Sequence, residues 1–124
     1  MNRYIKQRLI TPDLIWHSPF KRAVETAEII GQDFGITPEE ELALGEFFDE
    51  DELLQKLPSP DKNLCIVMVG HGPQLMRLAT YFTGFQCYPT SPSASSALVL
   101  DFPEKIGQGL ADFIYYFTTE DLIS

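Results

Sequence analysis

Apolar positions along this chain alternate between a helical spacing and short continuous runs. Tyr4, Ile5 and Leu9, interleaved with Arg3, Lys6 and Arg8, predict the end of a short amphipathic helix. Thr11-Pro12-Asp13 interrupts it, and Leu14-Ile15-Trp16 predicts a short buried strand. Ser18-Pro19 reads as an N-cap followed by proline at the first helical position. Ala23, Ala27 and Ile30 carry that helix forward, and Gly31 or Gly35 ends it. Further on, Asp49, Glu50, Asp51 and Glu52 precede Leu53, Leu54 and Leu57. Acids favour the positive end of a helix dipole, so a solvated helix start is expected there. A carboxylate metal site is the competing reading, but no second ligand cluster stands at metal spacing.

Leu64-Cys65-Ile66-Val67-Met68-Val69, after a turn predicted at Pro58-Ser59-Pro60-Asp61, is the longest purely apolar run. A strand of this kind suits a parallel sheet covered on both faces. Gly70-His71-Gly72-Pro73 follows, then a helix carrying Leu75, Leu78, Ala79 and Phe82 and closed by Gly84. Pro89 to Ala97 reads as a Ser/Pro-rich loop. Leu98-Val99-Leu100 and Phe113 to Phe117 predict a hairpin around Gly107-Gln108-Gly109. The expected fold is one α/β domain over residues 1–124, a mostly parallel sheet flanked by helices with an antiparallel edge.

Composition and charge narrow the function classes. A chain of 124 residues with 44% hydrophobic and 12% aromatic side chains is not disordered. Its longest apolar run is too short to span a bilayer, and no apolar stretch follows the N-terminal bases as in a secretory signal. With nine basic residues against eighteen acidic ones and a net charge of −9, the chain repels nucleic acid and anionic membranes unless its bases are focused in one place. Cys65 and Cys87 fit no metal or redox spacing and are too few for a disulfide scaffold, so a cytoplasmic location is expected.

Two strand-to-helix junctions carry the candidate chemistry, because ligands of open α/β sheets collect beyond the strands' carboxyl ends. In the first, Lys21 and Arg22 occupy the opening turn of a helix, where a cation opposes the dipole. A bound anion would reconcile the guanidinium, the free backbone N–H groups and the dipole; an ion pair with Glu25 or another acid is the alternative. In the second junction, His71 follows a buried strand between two glycines. It could donate to a phosphoryl oxygen, or it could cap its helix by bonding a backbone carbonyl. Both junctions would open onto one edge of the sheet, which together suggests a phosphate pocket.

These residues resemble a known family. Ser18-Pro19-Phe20-Lys21-Arg22-Ala23-Val24-Glu25-Thr26-Ala27 is similar to the SP-xx-RA-xx-TA segment of the histidine phosphatase superfamily, and Val69-Gly70-His71-Gly72-Pro73-Gln74-Leu75 to its VGH-x-P-x-L segment. The short length and the serine-rich stretch from Thr90-Ser91 to Ala97-Leu98 look most like the SixA-type phosphohistidine phosphatases. The resemblance, from about Arg8 to Leu100, implies a phosphoglycerate mutase-like fold and hydrolysis through a phosphohistidine intermediate. It also implies a phosphorylated protein or small phosphorylated substrate. Arg22 would bind phosphate, His71 would be the second pocket histidine, and Ser18 would cap the helix presenting Arg22. No metal or other cofactor is implied.

One expected segment has no counterpart. The superfamily's first strand ends in Arg-His-Gly, which supplies the nucleophile, whereas the arginines here are Arg3, Arg8, Arg22 and Arg77 and the histidines are His17 and His71. His17 has Trp16 before it and lies on a different strand, so it reads as a strand-end histidine rather than the nucleophile. Gly72 stands where SixA-type relatives often carry glutamate. The expectation is a domain lacking its first central strand and inactive as given, with two apolar strand edges left without backbone partners. A mis-assigned start, a homodimer filling the gap or a rearranged sheet would resolve this. A non-catalytic phosphate-binding module is the alternative function, and a phosphoglycerate mutase-like enzyme a third.

Overall fold

Strand Leu64–Gly70 lies at the middle of a five-stranded sheet, and every one of its side chains is buried. The computed structural model describes residues 11–58, 63–87 and 95–118. The helix expected around Tyr4 to Leu9, most of the Pro58–Asp61 turn and most of the Pro89–Ala97 loop lie outside those residues. Along the chain come β1 (Leu14–His17), α1 (Lys21–Phe34), β2 (Glu39–Glu40), a single 3-10 turn (Leu42–Leu44) and α2 (Glu50–Lys56). Then follow β3 (Leu64–Gly70), α3 (Gly72–Thr83), β4 (Ser96–Phe102) and β5 (Asp112–Thr118).

The sheet order is β2-β1-β3-β4-β5. β1 runs parallel to both β2 and β3, while β4 is antiparallel to β3 and to β5. Only β4 therefore points the other way, and the fold is α/β with a mostly, not entirely, parallel sheet. The expected hairpin is the β4–β5 pair, with a register shift between Val99 and Leu100. The expected gap is not there. β3 bonds β1 on one side and β4 on the other, from Leu64↔Phe102 to Gly70↔Ser96, so its two edges are both paired. Among the described residues an antiparallel neighbour, β4, occupies one edge of β3.

Alternation along the strands sorts the core into two layers. Ile15, Cys65, Val67, Val69, Ala97 and Val99 face α1 through Ala23, Ala27 and Ile30. Trp16, Ile66, Met68, Leu98 and Leu100 face α3 through Leu75, Leu78 and Phe82, with Leu53 of α2 and Leu44 of the 3-10 turn. β2 is held to the edge by backbone pairing and by the Trp16 indole N–H, which donates to Glu39 Oε2 at 3.3 Å. Gly35 and Gly84 end α1 and α3 in left-handed conformation, with φ of 66° and 81°.

Candidate functional site

The parallel register sets the carboxyl ends of β1 and β3 side by side, with His17 opposite Val69. Pairing continues one residue further, as the Ser18 N–H donates to the Val69 carbonyl at 2.9 Å. The two junctions then touch. Phe20, the residue preceding α1, meets the His71 ring edge-on, with 4.9 Å between ring centres.

At this edge Lys21 and Arg22 lie exposed in the first turn of α1, which holds no acid. Among the described residues Arg22 makes no hydrogen bond or ion pair, so the Glu25 pairing considered above is not formed. His71 occupies the N-cap position of α3, but its side chain makes no capping bond and its ring nitrogens have no hydrogen-bond partner among the described residues. The capping alternative is not realised either. Pro73 stands in the first turn of α3 as expected. The structure thus brings Arg22 and His71 to the same sheet edge, next to the free backbone donors of a helix start.

Ser18 departs from its expected role. The helix begins three residues later, with Phe20 at the N-cap position and no side-chain cap. The physical reason is placement: Ser18 extends β1, and its Cβ faces the α3 layer, 4.0 Å from where a Gly70 Cβ would stand. The hydroxyl is enclosed there and has no hydrogen-bond partner. Pro19 fits against Gly45, where a Cβ would come within 2.7 Å of its ring, so the proline belongs to the turn rather than to the helix. Ser18 is a buried neighbour of the site and not the cap that presents Arg22.

Residues 2–56 match the family model of the histidine phosphatase superfamily, branch 1. No curated protein and no solved structure matches the chain. The span matched to the histidine phosphatase model contains β1, the Ser18-Pro19 turn, Arg22 and α2, and ends before β3 and His71. The α/β sheet is compatible with that superfamily.

Two features here were invisible in sequence. His17 is nearly enclosed, and its Nδ1 donates to the Ser18 carbonyl at 2.9 Å. Gln74 reaches from α3 to the Gly45 carbonyl at 3.4 Å, tying the 3-10 turn to the second junction, while its Oε1 is enclosed without a partner. A polar residue at N3 of a helix is a weak signal for such a tie, and the histidine's bond depends on a local bend that no pattern encodes.

The acidic stretch is a helix start. Asp49 accepts from the Glu52 N–H at 3.1 Å, and Glu50, Asp51 and Glu52 fill the first turn of α2. These acids also clasp α3: Arg77 donates to Glu50 at 2.9 Å and the Tyr81 hydroxyl to Asp51 at 2.7 Å. The bond to Asp51 is the main reason the Tyr81 phenol is pushed up to about 12. Among the described residues no cluster of three or more His, Cys, Asp or Glu is arranged to hold a metal. Cys65 and Cys87 are both free thiols, and burial pushes Cys65 up to about 12. No helix among the described residues is long and apolar enough to cross a membrane.

Proposed function

We propose that this chain is a histidine phosphatase superfamily domain of the SixA type that binds phosphoryl groups between Arg22 and His71. The observation that carries this reading is that both side chains lie at one sheet edge, beside the N-termini of α1 and α3, with no hydrogen-bond or ion-pair partner among the described residues. An anion there would be met by a guanidinium, an imidazole and free backbone N–H groups, which an acidic chain offers in few other places. The substrate class is a phosphorylated protein or a small phosphorylated molecule, phosphohistidine foremost. In complete relatives a histidine attacks phosphorus, Arg22 and His71 stabilise charge on the equatorial oxygens, and water releases phosphate. These 124 residues contain no Arg-His-Gly, so the chain as given binds without catalytic turnover. That same absence favours the second reading, a phosphate-sensing module.

Inorganic phosphate and a phosphohistidine peptide should each raise the melting temperature of the wild-type chain. Arg22→Ala removes charge-assisted hydrogen bonds of about 1.5–3 kcal/mol, a loss of roughly ten- to a hundredfold in affinity. Because Arg22 is exposed and unpaired among the described residues, the fold should not suffer. If neither ligand shifts the melting temperature, the phosphate reading fails. Robust hydrolysis of the peptide, abolished by His71→Ala, would overturn the absence of turnover.

A further inference from the structure

The chain has two histidines, and the register places both on one side of one sheet edge. Ile15 and Val69 face the α1 layer, so two-residue alternation puts His17 on that same face. His71 continues β3 in extended conformation, with φ −76° and ψ 136°, and returns to the α1 side, where it meets Phe20. It lies two positions beyond the Val69 partner of His17. One strand spacing sideways and two residues along separate the two backbones by about 8 Å. That separation is on the scale of a phosphoryl group, and Arg22 stands two residues after Phe20 in the first turn of α1.

The His17 ring is also held by one hydrogen bond. A carbonyl oxygen can only accept, so the 2.9 Å contact with Ser18 places the proton on Nδ1 and leaves the neutral ring's lone pair on Nε2. That nitrogen has no partner among the described residues. In the neutral ring, an oriented imidazole nitrogen beside an anion site is a nucleophile.

We propose that His17 accepts a phosphoryl group on Nε2 from a ligand held by Arg22 and His71. The step rests on the phosphate reading above. With phosphoramidate as donor, the Nε2 lone pair forms the new N–P bond. The donor's N–P bond breaks, and its electron pair leaves with ammonia. The proton stays on Nδ1, still donated to the Ser18 carbonyl, and the phosphoryl oxygens keep the two flanking residues as partners. Acceptance is stoichiometric and the phosphorylated chain accumulates.

The test incubates the wild-type chain with phosphoramidate and follows intact mass, then maps the label by peptide sequencing and phosphorus NMR. The expected result is one acid-labile phosphoryl group per chain, on Nε2 of His17, and none in His17→Gln. Should His17→Gln fail to fold, the mapping in wild type still decides. A label on His71, or on Nδ1 of His17, overturns the proposal. So does a wild-type chain that gives a phosphate-dependent melting shift but takes no label, and there the phosphate reading survives. Loss of both the shift and the label removes that reading and the proposal with it.

Discussion

Gly31→Ala should destabilise the protein, although the exchange normally favours a helix. Gly31 sits inside α1 and is buried, and replacing glycine by alanine in a helix interior ordinarily gains about 1 kcal/mol. Here the chain doubles back over that position. A Cβ would collide with the Ile36 carbonyl oxygen and lie 2.9 Å from two carbons of the Pro38 ring. The Gly31 carbonyl meanwhile accepts from the Ile36 N–H at 3.0 Å, so backbone cannot withdraw without losing that bond. Overpacking of this kind costs about 1–3 kcal/mol, which exceeds the helix gain at the upper end and offsets it at the lower. Urea unfolding is the assay, with the midpoint compared at unchanged slope. A midpoint raised by the full propensity gain would refute the close approach and, with it, the path that brings β2 beside β1.

Two further outcomes follow from one half-buried group and one buried group. Asp101 pairs in register with Cys65 and Asp112, and its carboxyl is raised above its usual range, first by burial and then by Asp112 and Asp13. A raised folded-state value means stability that is present below the ordinary carboxylate range and lost as pH rises through the folded value. Asp101→Asn should therefore be more stable than wild type at neutral pH, with the difference shrinking in acid; equal stability at neutral pH would refute it. Cys65, buried and pushed up to about 12, should resist thiol reagents in the native state while the partly exposed Cys87 reacts. Labelling followed by peptide mapping distinguishes the two, and equal rates would show that β3 opens.

How much could be read from the chain depends on what holds each element. β3 was legible because both of its faces are covered, which forces an unbroken apolar run. The acids before Leu53 gave away α2 because the helix dipole selects them. β2 was not legible, since Glu39 and Glu40 are both exposed and join the sheet only through their backbone. The pairing of β3 with β4 was missed for a similar reason: strand order is a matter of which edges meet, and side-chain pattern records only faces. At the site, Arg22 and His71 stood out because they break local rules. Ser18 misled, because a Ser-Pro pair fits a strand-ending turn as well as a helix cap. His17 was legible as a strand-end histidine, but the orientation of its ring was not, as the bond that sets it joins it to its own neighbour's carbonyl.

The long reach between β1 and β3 sets the order in which this molecule can assemble. The Cys65 N–H donates to Asp13 across 52 residues of sequence, and β1 otherwise has only the two glutamates of β2 beside it. Contacts so distant in sequence close slowly, because the intervening loop must be ordered before they are rewarded. On a chain emerging from the ribosome, β1 and α1 would wait for β3 before either junction acquired its opposite wall. A nascent chain stopped short of Leu64 would carry Arg22 and no place for an anion to sit. Phosphate affinity in such truncated chains would therefore report the moment at which the sheet closes.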